Sequence, residues 1–169
     1  MAALGRSERA RVRRAQAGSV SDLEALFREH WPRAYRAAYL VVHDSAAAED
    51  IAQEAFLAAV RALDRFDRGR PFGPWLHRIA VNRAIDWARA RALRGEIEAH
   101  DVADAAAPAR DDAILAELAA LDPDHRAVIV LRYLLEYTPG EIAELLELPR
   151  GTVNSRLRRG LDRLKERLE

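Results

Sequence analysis

The chain has 169 residues, half of them hydrophobic, and its 27 basic and 27 acidic residues give a formal net charge of zero. It contains no cysteine, which excludes disulfide bonds, thiolate metal sites and thiol redox chemistry within the chain. No apolar run is long enough to span a membrane and no apolar signal core is present, so we expect a soluble, cytoplasmic protein.

The charges are distributed in blocks. Residues 1–20, 70–95 and 150–169 carry net charges of +4, +5 and +4, whereas residues 96–122 carry −7. A protein that coats nucleic acid indiscriminately would be basic throughout. The blocks at 70–95 and 150–169 instead predict two discrete DNA contacts separated by an acidic stretch. The basic N-terminal arm, residues 1–19, has no assigned role.

The first half of the chain has the periodicity and the start signals of α-helices. A capping box at Ser21–Glu24 should open a helix that Pro32 kinks or divides. His43–Ser45 indicates a break with a new N-cap. The remaining predicted elements are a helix from Ala46 to about Leu63, a loop at Asp64–Pro71 and a long helix from Gly73 to Leu93. Together these elements predict one all-α domain over residues 20–93.

The second half begins with residues 94–112, which have no period, are rich in Ala, Asp and Glu, and are typical of a flexible linker. A helix should follow from about Asp112 to Leu121. Asp122 and Pro123 provide an N-cap and a first helical position for the next helix, which runs to about Leu135. With two further helices, residues 113–169 should form a second, four-helix domain, and the fold class is all-α.

The last two helices suggest a helix-turn-helix. Thr138–Glu141 is a capping box with proline at the first helical position, Leu148–Gly151 breaks that helix, and Thr152 is a plausible N-cap for the next. The final helix carries one apolar stripe, formed by Val153, Leu157, Leu161, Leu164 and Leu168. Polar and basic side chains lie off the stripe near the helix start, where a recognition helix contacts the major groove.

Three segments carry a family resemblance: residues 48–57 (AEDIAQEAFL), residues 75–86 (WLHRIAVNRAID) and residues 151–157 (GTVNSRL). In this order and spacing they resemble the signature segments of bacterial RNA polymerase sigma factors. The chain length and the two-domain layout resemble the extracytoplasmic-function (ECF) class. The resemblance covers about residues 20–168 and implies a protein that binds core RNA polymerase and directs it to promoters, with one domain reading the −10 element and the other the −35 element.

The resemblance places residues of the first domain on two surfaces. Asp50, Gln53, Glu54 and Leu57 share one helix face and match the segment that docks on the β′ coiled coil. Asn82 and Asp86, one turn apart, can hydrogen-bond a base edge, and arginines nearby can contact phosphates. Opening DNA also needs a surface for unstacked bases, for which the loop and its aromatic side chains are candidates. The candidate −10 residues are Phe66, Arg78, Asn82, Arg83, Asp86 and Arg89.

In the second domain, Asn154 with Arg158 and Ser155 with Arg159 lie one turn apart. Asn pairs with adenine and Arg with guanine in the major groove, and the helix start favours phosphate. The candidate −35 residues are Arg150, Thr152, Asn154, Ser155, Arg158 and Arg159. Arg156 lies nearer the apolar flank and is a structural candidate. Family members often have glycine where this chain has Glu147; a positive φ there would cost on the order of 1 kcal/mol.

The resemblance also implies partners: core polymerase through its β′ coiled coil and β flap, promoter DNA, and an anti-sigma factor that could hold the protein at a membrane. It implies that the acidic linker follows the RNA path of the polymerase, whereas its composition alone fits a solvated linker. The five histidines show no metal-ligand spacing and no phosphate loop or nucleophile motif is present, so we expect no metal, no cofactor, no small-molecule substrate and no enzymatic activity. Two alternatives stay open: a stand-alone helix-turn-helix regulator and a decoy that binds polymerase but not promoters.

Overall fold

The computed structural model describes residues 2–95 and 109–168, with side chains for 7–95 and 114–168. In these residues the regular structure is helical, as predicted. The α-helices are α1 (Ala2–Gln16), α2 (Val20–Val42), α3 (Ser45–Ala62), α4 (Phe72–Leu93), α5 (Ala109–Ala119), α6 (Pro123–Tyr133), α7 (Pro139–Leu146) and α8 (Arg150–Leu168), and a 3-10 turn covers Leu63–Arg65. Most of the predicted linker, residues 96–108, lies outside the described residues. No described helix is long and apolar enough to cross a membrane.

The basic N-terminal arm contains helix α1, which had no predicted counterpart. Val12 of this helix is almost fully buried. It packs in a cluster with Leu26 of α2, Phe56 of α3, and Phe66 and Phe72 at the two ends of the loop before α4. The arm is therefore part of the folded N-terminal unit.

Helix α2 starts earlier than predicted and is not divided. Its N-cap is Ser19, whose hydroxyl accepts from the Asp22 backbone N–H at 3.4 Å, so the assignment of Ser21 to this position is wrong. Pro32 lies inside a continuous helix of 23 residues. An interior proline costs about 3 kcal/mol, and this cost is offset by burial of the following turns, where Ala37, Ala38 and Val41 are completely inaccessible to solvent.

Helix α3 is capped by Asp44, within the segment that the sequence predicts to contain an N-cap. The Asp44 carboxylate accepts from the Ala47 backbone N–H at 2.9 Å, and His43 before it has a φ of 52°, in the left-handed region. The break and the new N-cap predicted at His43–Ser45 are confirmed, and Asp44 is the capping residue because it has the extended backbone that a cap requires.

Two of the three C-terminal caps are as predicted. Asp122 caps α6 with Pro123 in the first position, and Thr138 and Glu141 form a reciprocal capping box at the start of α7. Glu141 Oε2 accepts from the Thr138 backbone N–H at 2.7 Å, and this bond lowers the pKa of the Glu141 carboxyl. Helix α8 differs: it begins at Arg150, because the backbone N–H groups of Thr152 and Val153 already donate to the Pro149 carbonyl.

A second hydrophobic cluster is shared by the two units. Buried residues of α2 and α4, including Val41 and Val81, belong to the same cluster as Val128 and Leu131 of α6 and Leu157 of α8. Arg126 of α6, only 1% exposed, donates to the carbonyls of Ala119 and Leu121 in its own unit and of Val41 at the end of α2. In this structure the N-terminal unit (α1–α4) and the C-terminal unit (α5–α8) are packed together.

Candidate nucleic-acid interface

Helix α3 divides cleanly into a buried face and an exposed face. Ile51, Ala52, Ala55 and Phe56 point into the core. Between them the four residues predicted to contact polymerase are all exposed: Asp50, Gln53, Glu54 and Leu57. Leu57 leaves half of its surface in solvent and so adds an exposed apolar side chain to this acidic face.

Helix α4 carries most of the predicted −10 residues on its outer side. Asn82 is half-buried, and Arg83, Asp86 and Arg89 are exposed, while Val81, Ala84 and Ile85 between them are buried. The structure therefore places Asn82 and Asp86 one turn apart on an accessible surface. Arg83 and Arg89 are exposed on the same helix, and Arg89 Nη1 lies 4.0 Å from Asp86 Oδ1.

Each of the three −10 arginines already has an acidic partner. Arg83 Nη1 lies 2.9 Å from Glu54 Oε2, on the neighbouring helix α3. Arg78 pairs with Glu147 and Arg89 with Asp124, so two of the three pairs reach across to the C-terminal unit. The sequence did not indicate these partners, because they are separated by 69 and 35 positions along the chain.

The ring of Phe66 is buried. Only 8% of the residue is exposed, and its ring lies 4.5 Å from that of Trp75 and 5.8 Å from that of Phe72. In this conformation Phe66 anchors the loop instead of offering a stacking surface. The exposed cations of the loop are Arg65, Arg68 and Arg70. They are the −10 candidates that the sequence reading missed, although the composition of the segment contains the signal.

The turn between α7 and α8 is set by Glu147. Its φ is 55°, the left-handed conformation that the sequence reading flagged as costly without glycine. The Glu147 backbone N–H donates to the Ala143 carbonyl and the next N–H, of Leu148, donates to the same carbonyl at 2.9 Å. This conformation ends α7 and turns the chain into α8 within three residues.

Helix α8 presents the predicted −35 residues in the expected way. Val153, Leu157 and Gly160 face α6 and α7, whereas Leu161 and Leu168 of the proposed apolar stripe are largely exposed. The opposite face holds Arg150, Asn154, Arg158 and Arg159, all exposed, with Thr152 and Ser155 half-buried beside them. Gly160 lets α8 approach α6 closely, since a Cβ there would lie 2.8 Å from Ile129 Cδ1.

Arg156 is a structural residue, as its position on the apolar flank suggested. Its guanidinium lies 3.4 Å from Asp124 Oδ2. The same carboxylate also pairs with Arg89 of α4. Asp124 therefore contacts a cation of each unit, a junction that sequence spacing does not reveal.

A buried polar contact joins helix α4 of the N-terminal unit to the segment between α6 and α7 of the C-terminal unit. His77 Nδ1 lies 2.9 Å from the Tyr137 hydroxyl. Burial, followed by the nearby His30 and Arg33, lowers the pKa of His77 to about 4, and burial also raises the pKa of Tyr137. Both side chains are neutral at pH 7. Among the described side chains, Glu8, Glu29 and His30 form the one group whose ligand atoms are close enough to share a metal ion.

Family models match both units. Residues 26–94 match sigma-70 region 2, and residues 111–164 match sigma-70 region 4. The ECF RNA polymerase sigma factor SigW of Bacillus subtilis is 32% identical, covering 93% of this chain and 92% of its own length. The RNA polymerase sigma factor CarQ of Myxococcus xanthus is 34% identical, covering 89% and 91% respectively.

Two solved structures share the fold. CnrH, solved in complex with the cytosolic domain of CnrY, is 29% identical with a TM-score of 0.74, covering 95% of this chain and 96% of its own. The sigma factor RpoE of Bartonella quintana, solved with the anti-sigma factor NepR, has a TM-score of 0.75 at 24% identity, covering 88% and 98%.

Proposed function

The chain belongs to the ECF class of bacterial RNA polymerase sigma factors, and on that premise we propose how its surfaces divide the work of promoter recognition. It binds core RNA polymerase and directs promoter-specific initiation. The observation that carries the division is the order of three exposed surfaces: an acidic face on α3, a basic face on α4 and a polar, basic face on α8. The family consists of initiation factors, and RNA synthesis itself is carried out by the polymerase.

The α3 face is the proposed polymerase-binding surface. Asp50, Gln53 and Glu54 supply charge and hydrogen-bond acceptors, and Leu57 supplies an exposed apolar contact, which is the composition of a polar interface with a small apolar centre. We assign its partner as the β′ coiled coil of the polymerase. Glu54 also holds Arg83, so polymerase binding at α3 and DNA binding at α4 share this ion pair.

The α4 face, with the loop before it, is the proposed −10 surface. Asn82 and Asp86 can hydrogen-bond base edges, and Arg78, Arg83 and Arg89 can contact phosphates of the separated strand. The exposed arginines of the loop, Arg65, Arg68 and Arg70, extend this surface. Phe66 contributes by anchoring the loop or by moving outward when a base is unstacked.

The exposed face of α8 is the proposed −35 surface. Asn154 and Arg158 can make bidentate contacts to adenine and guanine, each worth about 1–3 kcal/mol of discrimination. Ser155 and Arg159 lie beside them, and Arg150 and Thr152 lie at the positive end of the helix, where a phosphate is favoured. The C-terminal unit is also the proposed contact for the β flap.

We further propose that an anti-sigma factor regulates the protein. The structurally similar CnrH was solved with the cytosolic domain of CnrY, and that likeness supports a protein partner on the same fold here. The site of action is the cytoplasm, where polymerase and promoter DNA are found. The acidic linker predicted at residues 94–112 would follow the RNA path of the polymerase.

Run-off transcription with purified core polymerase over a promoter library tests the proposal. The wild-type chain should give promoter-specific transcripts, and Glu54→Ala should weaken core binding while leaving −35 duplex selection intact. Glu166→Ala, an exposed acid on α8, is the matched control and should behave as wild type. A chain that protects DNA by itself but yields no specific transcripts would instead be a stand-alone helix-turn-helix regulator. One that binds core without selecting promoters would be a decoy.

A further inference from the structure

The loop before α4 is held at both ends by one face of helix α1. Glu8, Val12 and Gln16 are spaced four residues apart, so they lie on the same side of the helix. Val12, 2% exposed, packs between Phe66 and Phe72, the two buried aromatic residues that bound the loop. The polar residues at either end of this face contact the loop backbone.

Gln16 makes the more extensive contact, at the start of the loop. Its side-chain Nε2 donates to the Leu63 carbonyl at 2.8 Å and to the Phe66 carbonyl at 3.2 Å. Its Oε1 accepts from the guanidinium of Arg68, one of the exposed loop cations. One carboxamide thus donates to a carbonyl at the start of the 3-10 turn and to one just after it, and it orients an arginine side chain.

Glu8 holds the end of the loop. Its Oε2 accepts from the Phe72 backbone N–H at 3.3 Å, at the first turn of α4, and its Oε1 lies 2.8 Å from His30 Nε2. The His30 hydrogen bond is the main reason that the pKa of Glu8 is lowered, so this residue stays a carboxylate acceptor. Carboxylates are favoured at helix starts, where free N–H groups point outward.

The segment between these contacts is an exposed arc. Asp67 accepts from the Gly69 backbone N–H at 2.8 Å, and the Arg70 N–H donates to the Asp67 carbonyl at 3.0 Å, which folds the tip into a turn. Arg65, Arg68 and Arg70 extend from it into solvent. A loop that captures a separated DNA strand must hold such cations in a fixed geometry, because a loosely held loop spends binding energy on its own ordering.

We infer that Gln16 is a positioning residue for promoter opening: its carboxamide sets the conformation of the 63–72 loop and thereby the placement of Arg68 and its neighbours on the separated −10 strand. This inference rests on the proposed function and adds to it a role for the N-terminal helix. Gln16 itself does not contact DNA.

The test uses holoenzyme assembled from the full chain and core polymerase, on a promoter that the wild-type holoenzyme selects from a library. Opening is followed by fluorescence of 2-aminopurine in the −10 element, and core affinity is measured separately. Gln16→Leu removes the hydrogen bonds at similar size. Gln16→Glu can still accept from Arg68 but cannot donate to the two carbonyls. Arg13→Ala, on the exposed side of α1, lowers the charge of the helix by one, as Gln16→Glu does, and is the control for that change.

Both Gln16 variants should slow opening about tenfold, the rate ratio that corresponds to about 1.4 kcal/mol, and reduce discrimination against single-base changes in the −10 element. Their affinity for core polymerase should stay within about twofold of wild type, which is a difference in binding free energy of about 0.4 kcal/mol. Arg13→Ala should open as wild type does. Wild-type opening rates and base discrimination in both variants would overturn the role of Gln16. So would a loss of core affinity as large as the loss in opening rate, because that pattern is a general defect of the unit.

An intact rate in Gln16→Glu with a slow Gln16→Leu would overturn the role of the two donated hydrogen bonds. Failure of the proposed function gives a different pattern. In that case the wild-type holoenzyme itself opens no promoter, whereas failure of the present inference leaves wild-type opening intact.

Discussion

The two proposed DNA surfaces differ in how their cations are held. On α4, Arg78, Arg83 and Arg89 are each ion-paired to an acid. On α8, no acidic partner for Arg150, Arg158 or Arg159 is found within residues 7–95 and 114–168, the side chains that the structure describes. The guanidinium groups of the proposed −35 surface are therefore available to phosphate, whereas those on the α4 part of the proposed −10 surface are paired with carboxylates of the same chain.

This difference assigns different costs to binding at the two surfaces. Exposed ion pairs contribute roughly 0–1 kcal/mol each, so phosphates can replace the carboxylates on α4 at small expense. The apolar core shared by α2, α4 and α6 is a larger barrier to separating the units. The ion pairs between the units thus favour this particular packing of the two units. The stability of the packed arrangement comes mainly from buried contacts.

The largest expected effect concerns the buried link between the units. Arg126→Met removes the donors of three buried carbonyls on both sides of the junction, and each lost buried partner costs about 1–3 kcal/mol. We expect unfolding free energy to fall by about 3 kcal/mol or more, measured by urea denaturation. Arg163→Met, on the exposed side of α8, is the control. Equal shifts for the two variants would show that the junction contributes little.

A second test alters how α8 is held against α6. At Gly160 a side chain would collide with Ile129, whereas at Gly151, in the same helix, it would meet open space. Gly160→Leu should destabilise the chain by about 1–3 kcal/mol, the usual cost of overpacking, and weaken −35 duplex binding. Gly151→Leu should keep wild-type stability. If both variants unfold alike in a thermal melt, close packing at Gly160 does not set the position of the recognition helix.

Acidification should loosen the junction through His77. Its pKa is about 4 in the folded protein, below the usual 6.5, chiefly because burial disfavours the charged ring and also because His30 and Arg33 lie nearby, while Glu8 opposes the shift. Between these values the unfolded state binds a proton that the folded state does not. Stability therefore falls as the pH decreases from 6.5 towards 4, by at most about 1.4 kcal/mol per pH unit. His77→Gln should flatten this slope in urea titrations at pH 7.5 and 5.0; an unchanged slope would assign the dependence to other groups.

The smallest expected effect concerns the ion pair between Arg78 of α4 and Glu147. Glu136 and Glu147 both have positive φ, 60° and 55°, but only Glu147 pairs with an arginine of α4 among the described contacts. Glycine at either site relieves strain of about 1 kcal/mol. Glu136→Gly should therefore raise the free energy of unfolding slightly more than Glu147→Gly does. The difference is the contribution of the ion pair with Arg78, which is less than about 1 kcal/mol. Calorimetry that ranks them in the opposite order would contradict this assignment.

Local features of the fold were predictable from sequence because they depend on near neighbours. The Asp122 cap and the Thr138–Glu141 capping box follow from side chains within a few positions, whereas the question of a positive φ at Glu147 came from the family resemblance. An error arose where two serines compete two positions apart, since the N-cap of α2 is Ser19 and not Ser21. There, backbone geometry decides between chemically similar caps.

The relation between the units was not predictable from the sequence. The partners of Arg78 and Arg89 are far away in the chain, and a charged face with no known neighbour is read as solvated. The sequence did not predict helix α1, because most of its residues are basic or small and only a narrow face, centred on Val12, is buried. The spacing of Glu8, Val12 and Gln16 was the one available signal. The assignments of the polymerase, −10 and −35 residues stay predictions.

The most direct test of the two-surface account is a transcription epistasis measurement. Wild-type and Arg158→Ala holoenzymes are compared on a selected promoter and on versions with one base changed in the −35 or the −10 element. We predict that Arg158→Ala loses discrimination at the −35 position by about 5–150-fold, corresponding to about 1–3 kcal/mol, and keeps full discrimination at −10. Loss of discrimination at both elements, or at neither, would contradict the assignment of separate surfaces to α4 and α8.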